Sequence, residues 1–458
     1  MLNLQINNWS NLDNKAQQAL LARPKLRSKA DLSAQVAAII DTVQQQGDEA
    51  LRLFCQKFDG ISINNFALSE AVQQQRLALL NPDAKAAIEL AYANIRTFHA
   101  AQKPQDIKLE TSPGVVCELK YAAFDSVGLY IPGGSAPLPS TVLMLGVPAQ
   151  LSGCARIVLV TPPGQPNATD IAPEIIYAAK LCGISEIYTV GGAQAIAALA
   201  YGTESIQKVS KIYGPGNSYV TEAKQQVSAT AEGAAIDMPA GPSEVLVIAD
   251  ESANPAFVAA DLLSQAEHGP DSQVVLVSDS ETLLTNTLTE LNLQLATLPR
   301  ADIARQALGN SRFILTPDLA TAALVSNLYA PEHLIIQTAQ DDKLLGKLSN
   351  AASIFVGAWT PESAGDYASG TNHVLPTYGY SRTHSSLGLL DFYRRYTVQT
   401  LTAQGMQNIG PAIVTLAKAE GLAAHANAVS LRLAALAGQA RNETDKTKLA
   451  NPALEGNQ

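Results

Sequence analysis

The sequence predicts an α/β fold built from two doubly wound modules, and three observations support it. Strand-like apolar runs alternate with helical patterns from about residue 126 onward. The run Ala155–Thr161 is almost continuously apolar, which is typical of a parallel strand covered on both faces. Hydrophobic residues make up 47% of the 458 residues and charged residues 16%, which is ample for sizeable cores.

The first part of the chain combines helices with one strand–helix block. Residues 1–27 resemble a short helical appendage, and the apolar spacing from Ala30 to about Gln102 is helical. Predicted strands are Val115–Tyr121, Ser126–Ile131, Ala155–Thr161, Glu186–Val190 and Lys208–Tyr213. Predicted helices are Pro173–Leu181, with proline in its first turn, and Ala193–Ala200.

A second strand–helix block follows, and after it a different kind of segment. Its predicted strands are Glu244–Ala249, Gln273–Val277, Ser311–Leu315, Leu334–Gln337 and Ala352–Val356. Its predicted helices are Pro255–Glu267, Thr282–Leu298 and Pro317–Leu328. From about Gly379 the chain is Ala-rich and predicted helical, with helices Pro411–Glu420 and Ala424–Leu436 and a frayed polar tail after Arg441.

These blocks predict a discontinuous domain organisation. Residues 28–129 and 245–378 form the first α/β domain, and residues 130–244 form a second α/β domain inserted into it. The appendage 1–27 precedes them, and a C-terminal helical arm, 379–458, follows. In doubly wound folds ligands bind beyond the carboxyl ends of the strands, so the cleft there is the expected site.

Composition argues against several classes of function. The net charge of −10 is spread along the chain, whereas a nucleic-acid surface or an anionic membrane would require a basic face. No segment approaches the roughly 18 apolar residues of a membrane span, and the amino terminus has no signal-peptide core, so the cytoplasm is expected. The cysteines form neither CxxC pairs nor a disulfide framework and are typical of small buried side chains: Cys55, Cys117, Cys154 and Cys182.

Three glycine turns follow predicted strands. They are Tyr130-Ile-Pro-Gly-Gly134, Val190-Gly-Gly-Ala-Gln194 and Tyr213-Gly-Pro-Gly-Asn217. None is GxGxxG, so the two modules are Rossmann-like without the dinucleotide fingerprint. The second turn opens onto a helix whose free N–H groups could face a phosphate. Tight turns need glycine with or without a ligand; if one is present, Tyr130, Gln194 and Asn217 suit a nucleotide.

The helix after Asn254-Pro255 carries the first candidate metal ligands. Gln265 and His268 are three residues apart, share a face in its last turn and precede a glycine. They could hold a metal ion from one side, although two ligands do not close a site. The alternative is a capped surface helix with a histidine near its C-terminus, where a cation is favoured.

An acid and an imidazole adjoin at Glu332-His333, behind Ala330-Pro331. Such a pair can divide general acid/base work, and the alternative is a loop with two solvated side chains. Asp366, predicted in a loop of small residues, could be a third metal ligand, and zinc accepts such a mixed set. Of the remaining histidines, His99 is predicted to be structural and His384 to be solvent-exposed.

Eight segments together resemble the histidinol dehydrogenase family, in order from about residue 20 to residue 435. They are Gly128–Gly134, Val190–Ala195, Ile212–Asn217, Asp237–Glu244, Leu263–His268, Ala330–Leu334, Gly365–His373 and Glu420–His425. The resemblance implies two-step oxidation of L-histidinol to L-histidine through L-histidinal, the last steps of histidine biosynthesis. It also implies one Zn²⁺ per subunit, two NAD⁺ consumed per turnover and a homodimer with shared active sites.

The resemblance also implies a role for each matching residue. Glu332 and His333 match the catalytic pair, and Tyr130, Gln194 and Asn217 match NAD contacts. Zinc ligands are matched by Gln265, His268, Asp366 and, from the partner's C-terminal arm, His425. Ser243, His373 and Glu420 match substrate contacts, and the substrate also contacts His333 and the four zinc ligands.

The implied chemistry runs both oxidations in one pocket. His333 takes the alcohol proton, and Glu332 activates the water that hydrates the aldehyde, while zinc mainly orients the substrate. Three alternatives stay open. A relative could oxidise another small alcohol, a zinc hydrolase would need no nicotinamide, and a binding module would need neither Glu332 nor His333.

Overall fold

The structure, a computed structural model, describes residues 4–24, 29–133, 137–164, 171–238 and 241–450. Contacts between residues divide the chain into two compact units. The first comprises 1–103 with 123–392, and the second comprises 104–122 with 393–458. Gly134 of the first glycine turn, both ends of the predicted appendage (1–3 and 25–27) and the tail residues 451–458 lie outside the described residues.

The regular elements alternate along most of the chain. The strands are β1 Ile6–Asn8, β2 Ile107–Ser112, β3 Val115–Ala123, β4 Ser126–Tyr130, β5 Arg156–Thr161, β6 Glu186–Thr189, β7 Lys211–Tyr213, β8 Ala235–Ile236, β9 Glu244–Ala249, β10 Gln273–Ser278, β11 Arg312–Leu315, β12 His333–Gln337, β13 Ser353–Val356 and β14 Tyr393–Leu401.

The α-helices are α1 Asn14–Leu20, α2 Lys29–Gln46, α3 Asp48–Phe54, α4 Glu70–Leu77, α5 Pro82–Ala100, α6 Pro139–Ser152, α7 Pro173–Leu181, α8 Gly192–Tyr201, α9 Ser218–Ser228, α10 Pro255–Ala266, α11 Glu281–Leu295, α12 Ala301–Gly309, α13 Leu319–Tyr329, α14 Asp341–Leu345, α15 Glu362–Tyr367, α16 Ala403–Ala419 and α17 Ala423–Ala450. Single turns of 3₁₀-helix are Trp9–Asn11, Tyr380–Arg382 and Leu389–Phe392, and Cys55–Asp59 is a π-helical turn.

The large parallel sheet of the first unit has the order β1-β11-β10-β9-β12-β13 among the described residues. Its central strand β9 is buried along its whole length. Successive β9 residues enter different clusters: Val245 and Val247 pack with α10 and α11, and Leu246 and Ile248 pack with α13. Because side chains alternate along a strand, these two clusters cover opposite faces of the sheet.

The small parallel sheet of the same unit has the order β6-β5-β4-β7-β8 among the described residues. On β5, Val158 and Val160 pack with α2 and α8, whereas Leu159 packs with α5, α6 and α7. Helices α2 and α5 therefore cover the small sheet. The sequence assigned 28–129 to the first predicted domain. Strand β4, at the end of that range, pairs within the small sheet, and the domain boundaries stay a prediction.

The second unit contains the third sheet, ordered β14-β3-β2, together with α16 and α17. Strands β2 and β3 pair antiparallel. Thr402 accepts a hydrogen bond from the N–H of Gly405 at 3.1 Å and so caps α16. The backbone of α17 continues to Ala450, beyond the predicted start of fraying at Arg441.

The mixed α/β class with parallel sheets is confirmed, and the finer description as two doubly wound modules stays a prediction. Two predictions about the chain ends were wrong. Within the appendage, β1 pairs parallel with β11, so a strand accompanies the helix. Within the predicted helical arm, β14 is a nine-residue strand. None of the described helices is long and apolar enough to cross a membrane.

Candidate active site

Helix α10 brings Gln265 into the interior of the first unit. Its start is as predicted, because Asn254 Oδ1 accepts a hydrogen bond from the N–H of Ala256 at 3.0 Å and Pro255 is the first helical residue. Gln265 is fully buried, and its Nε2 lies 3.5 Å from Nδ1 of His333. His268 follows the helix end, donates its N–H to the carbonyl of Gln265 at 3.2 Å and exposes its side chain.

A tight turn presents Glu332 and His333 together. Ala330 has φ 56°, a left-handed conformation that is uncommon for a residue with a Cβ, and Pro331 follows it. His333 is the first residue of β12 and pairs in register with Val245 of the neighbouring β9. The pair therefore stands at the amino ends of the strands of the large sheet. The prediction of a site at their carboxyl ends was wrong for this sheet.

The imidazole of His333 is oriented by the backbone of β9. Its Nδ1 lies 3.2 Å from the carbonyl oxygen of Glu244. Because a carbonyl only accepts, this contact places the ring hydrogen on Nδ1 and leaves the lone pair of the neutral ring on Nε2. Nε2 is buried and has no hydrogen-bond partner among the described residues, so it is available to accept a proton.

Three carboxyl groups surround this ring. His333 Nδ1 lies 3.6 Å from Glu332 Oε2 and 3.7 Å from Glu362 Oε1, and Nε2 lies 3.7 Å from Asp366 Oδ1. The predicted loop around Asp366 is the short helix α15, which carries Glu362 one turn earlier. Glu362 is therefore a site residue that the sequence reasoning did not predict, although its spacing of four from Asp366 would place both on one helix face.

Burial and mutual charge shift the pKa values of these groups. Burial raises the pKa of Glu332 and that of Glu362 to about 8. Burial opposes the charged form of His333, but Glu362, Glu332 and Asp366 outweigh it and raise the pKa of His333 to about 10. A cation bound among these carboxylates would oppose this shift by offsetting their charge, and His333 needs that offset to be neutral and act as a base near neutral pH. Burial alone would raise the pKa of Asp366. The neighbouring histidines, of which His333 has the largest effect, outweigh burial and hold this pKa below its usual value.

The donor set fits a divalent cation. Ligand atoms of His333, Glu362 and Asp366 lie within 4.8 Å of one another. The buried Oε1 of Gln265 and both carboxylate oxygens of Glu362 have no hydrogen-bond partner among the described residues. Buried polar atoms are normally paired, so unpaired ones in and beside a carboxylate cluster suit a cation held there. The charge of Asp366 also acts on the ring of His268.

Two predicted substrate contacts lie in this unit as well. His373 Nδ1 is 2.9 Å from the backbone oxygen of Asp366, and its Nε2 is 3.3 Å from Oγ1 of Thr141 on α6. Ser243 immediately precedes Glu244 at the start of β9 and is half-buried. Glu420 and His425 belong to the second unit, where Glu420 ends α16, His425 lies in the first turn of α17, and both side chains are exposed.

The glycine turns follow the carboxyl ends of strands in the small sheet. The Tyr130 hydroxyl accepts a hydrogen bond from the N–H of Gly192 at 3.2 Å, which joins the first two turns. Tyr130 and Gln194 are both buried. Asn217 is exposed and caps α9 by accepting N–H bonds from Tyr219 at 3.0 Å and Val220 at 3.1 Å.

An ion pair between Lys224 and Asp237 stabilises the third glycine turn, at Gly214. Lys224 donates to the carbonyl of Gly214 at 2.7 Å and pairs with Asp237, which accepts the N–H of Gly214 at 2.8 Å. Gly214 has φ +121°, and a Cβ there would lie 2.1 Å from the backbone oxygen of Tyr130. Glycine is therefore required at this position on steric grounds.

The side chains expected to be uninvolved lie outside the cluster. His99 is buried, as expected of a structural histidine, and its Nδ1 contacts the carbonyl of Ile95 at 2.9 Å. His384 is half-buried, so the prediction that it is solvent-exposed was wrong. Cys55 and Cys182 are buried, and burial raises the pKa of both thiols, which makes them poor nucleophiles.

Known proteins match the chain over nearly its whole length. The family profile described as Histidinol dehydrogenase matches residues 21–433. The histidinol dehydrogenase of Colwellia psychrerythraea is 61% identical over 430 residues, covering 94% of this chain and 98% of that protein. The histidinol dehydrogenase of Aliivibrio fischeri is 57% identical over 429 residues, covering 94% and 96%. A crystal structure of histidinol dehydrogenase from Elizabethkingia anophelis superposes with TM-score 0.90 at 48% identity, covering 94% of this chain and 98% of that one. The chain therefore belongs to the histidinol dehydrogenase family of oxidoreductases.

Proposed function

We propose that this protein oxidises L-histidinol to L-histidine through L-histidinal, with NAD⁺ as the oxidant and Zn²⁺ as a resident metal. The observation that carries the proposal is the buried Glu332–His333 pair, in which Nε2 of His333 lies 3.7 Å from Asp366 and has no hydrogen-bond partner within the described part of the chain. Membership of the family supports the substrate. The cytoplasm stays the predicted compartment.

Zinc would be held by Gln265, His268 and Asp366, with His425 of the partner subunit as the fourth ligand. The unpartnered Oε1 of Gln265 and the carboxylate of Asp366 suit the cation. When bound, zinc supplies a Lewis-acid template that orients the imidazole and amino nitrogens of the substrate. Ser243, His373 and Glu420 would complete the contacts to the substrate.

In the first oxidation, His333 acts as the general base. Its Nδ1 hydrogen is held by the carbonyl of Glu244, so Nε2 can accept the proton of the alcohol as a hydride leaves the carbon. NAD⁺, when bound, supplies the hydride acceptor. The surrounding carboxylates stabilise the imidazolium that forms, because opposite charges are close and buried.

The second oxidation needs a hydrated aldehyde, because a hydride leaves only from a tetrahedral carbon. Glu332 is placed beside His333 and would take a proton from the attacking water. After its first proton has passed to solvent, His333 would accept a proton from the hydrate as the second hydride leaves for a second NAD⁺. One pocket with one acid/base pair can therefore run both steps without releasing the aldehyde.

The small sheet would bind the dinucleotide at its glycine turns. Gly192 begins α8 directly after its turn, so N–H groups at the helix start can face a phosphate. Tyr130, Gln194 and Asn217 are the proposed NAD contacts, of which Asn217 is exposed. A doubly wound, Rossmann-like module is the fold that this role favours.

The stoichiometry of NADH formation tests the proposed function. Purified protein, depleted of metal with a chelator and then reloaded with Zn²⁺, should form two NADH per L-histidinol and accumulate little free L-histidinal. The metal-depleted protein should be inactive and should recover on reloading. One NADH per histidinol, with the aldehyde as end product, would contradict the two-step mechanism.

Shared active sites in a homodimer can be tested by complementation. His425→Ala and Gln265→Ala should each be inactive, and mixing them with subunit exchange should restore activity. In a hybrid dimer one site carries both substitutions and the other carries neither. With half of the dimers hybrid, activity should reach about a quarter of wild type, since a two-fold dimer has two equivalent sites. No recovery after verified exchange would mean that one chain supplies every zinc ligand.

A further inference from the structure

Arg23 and Glu244 form a buried, bidentate ion pair behind the acid/base pair. Arg23 Nε donates to Glu244 Oε2 at 2.6 Å, and Nη2 donates to Oε1 at 2.8 Å. The side chain of Glu244 is 2% exposed and that of Arg23 is 15% exposed. Two parallel N–H···O bonds fix direction as well as distance, so the pair holds Glu244 in one orientation.

Glu244 contacts both Glu332 and His333, through its N–H, its carboxylate and its carbonyl oxygen. Its N–H donates to Glu332 Oε2 at 2.9 Å, and its carboxylate accepts the N–H of Glu332 at 3.3 Å. Its carbonyl oxygen lies 3.2 Å from Nδ1 of His333. Any shift of Glu244 therefore displaces the carboxylate of Glu332 and the ring of His333 together.

Arg23 also holds the turn that presents the pair. Its Nη2 donates to the carbonyls of Tyr329 at 2.9 Å and Ala330 at 3.2 Å. Its guanidinium lies 4.1 Å from the centre of the Tyr329 ring, and the Tyr329 hydroxyl, which donates to Gln273 Oε1 at 2.8 Å, lies 3.2 Å from Glu244 Oε2. Ala330 has a left-handed backbone, which persists only where the surroundings fix it, and Arg23 supplies such contacts.

A buried ion pair contributes little net stability, because the cost of removing both charges from water offsets their attraction. We propose instead that Arg23 is a positioning residue, which sets Glu332 and His333 for proton transfer through Glu244 and the turn at Ala330. The reaction in which it acts is the proposed function above. Arg23 comes from the amino-terminal segment, so this segment belongs to the active-site structure.

The small sheet offers a matched control pair. Arg156 Nε donates to Glu186 Oε1 at 2.9 Å, and Nη2 donates to Oε2 at 2.7 Å. Arg156 also donates to two backbone carbonyls, those of Gln207 at 3.2 Å and Lys208 at 3.3 Å. Its contacts have the same form as those of Arg23, but they involve neither Glu332 nor His333.

The test compares Arg23→Met with Arg156→Met in the full-length, zinc-loaded protein. We expect Arg23→Met to lower kcat about 10–100-fold in both half-reactions, with KM changed less than about threefold, because small displacements of reacting groups cost about that much. Arg156→Met should keep kcat within about twofold of wild type. Arg23→Lys, which retains the charge but not the fork, should fall between wild type and Arg23→Met. Equal loss of kcat in Arg23→Met and Arg156→Met would overturn the proposal.

Hydrogen exchange followed by mass spectrometry gives a readout that does not depend on turnover. Arg23→Met should speed amide exchange in the peptide covering 329–334, while Arg156→Met should not. If Arg23→Met fails to fold, kcat and hydrogen exchange are measured on Arg23→Lys instead. If wild type fails to oxidise histidinol, the proposed function fails while the exchange result still decides the positioning role. If amide exchange at 329–334 is the same in Arg23→Met as in wild type, the positioning role is refuted, irrespective of the measured kcat.

Discussion

The two parallel sheets of the first unit present chemically different groups at opposite strand ends. The large sheet places Glu244 and His333 at the amino ends of β9 and β12, with Gln265 near the C-terminus of α10. The small sheet places glycine turns at the carboxyl ends of β4, β6 and β7, with N-termini of α8 and α9 beside two of them. Helix C-termini favour cations and N-termini favour anions, so the two ends suit a metal and a phosphate respectively.

The two sheets also differ in whether the polar groups at these strand ends are hydrogen-bonded. At the large sheet, buried atoms of Gln265, His333 and Glu362 lack hydrogen-bond partners among the described residues. At the small sheet, the Tyr130 hydroxyl, Asn217 Oδ1 and Lys224 all bond within the protein. The first region is therefore specified by side-chain chemistry and the second by backbone shape. Side-chain changes should chiefly harm chemistry at the large sheet, whereas an added Cβ should chiefly harm structure at the small sheet.

The largest effect is expected from His333→Asn, which removes the base of both steps. General-base catalysis contributes about 10²–10⁴-fold, so kcat for oxidation of histidinol and of supplied histidinal should each fall by about that factor. The melting temperature should stay close to that of wild type. His384→Asn, at a half-buried histidine outside the cluster, serves as the control and should keep full activity. A loss confined to one half-reaction would contradict the role of His333 in both.

Glu332→Gln should impair one step selectively. Glutamine retains an oxygen that can accept the N–H of Glu244, so the local structure should persist. The missing base should slow oxidation of histidinal by about 10²–10⁴-fold and oxidation of histidinol much less. Separate assays with each substrate measure the ratio of the two rates. Equal losses in both would show that Glu332 does not activate water.

Gly214→Ala tests whether the small sheet depends on backbone shape. The strained φ costs about 1–3 kcal/mol, and the collision with the backbone oxygen of Tyr130 adds about 1–3 kcal/mol. Gly153→Ala is the matched control, because Gly153 also has a positive φ, +82°, but open space around the added Cβ. Urea denaturation should show a larger loss of unfolding free energy for Gly214→Ala. Equal losses would mean that the close approach to Tyr130 is unimportant.

The sequence predicted elements well where local pattern and tertiary packing agree. The strand Glu244–Ala249 was predicted with its observed bounds, because a fully buried strand is one continuous apolar run. Helix α6 was not predicted, since its residues are apolar on every side and give no helical period. Strand β14 was not predicted either, because its sequence Tyr-Arg-Arg-Tyr is mostly exposed and only pairing in the third sheet makes it a strand.

The candidate site was likewise predicted only where its residues carry a local sequence signal. Glu332, His333, Gln265 and Asp366 were predicted, and the structure places the other three around the ring of His333. Arg23 was not predicted, because its partner Glu244 lies 221 residues away and no local pattern links them. Short-range spacing predicts which side chains share a helix face, but only the fold determines which distant charges meet.

The smallest effect is expected at Asp261, a buried carboxyl on α10 one turn before Gln265. Burial raises its pKa to about 7, although Gln337 Nε2 donates to it at 2.9 Å. The unfolded pKa is about 3.9, so the folded state binds more protons than the unfolded state between the two values, and stability falls as pH rises from about 4 to about 7. Asp261→Asn cannot ionise and should escape this loss.

We therefore expect Asp261→Asn to raise the free energy of unfolding at pH 8 by about 1–3 kcal/mol, since one pKa unit corresponds to about 1.4 kcal/mol and a buried amide retains part of the polar cost. Near pH 4 the folded carboxyl is protonated and the unfolded one is only partly ionised, so most of the gain should be absent there. Urea denaturation of both proteins at pH 4.5 and pH 8 measures the difference. A gain that is equal at both pH values would show that packing, rather than a buried charge on α10, distinguishes the two proteins.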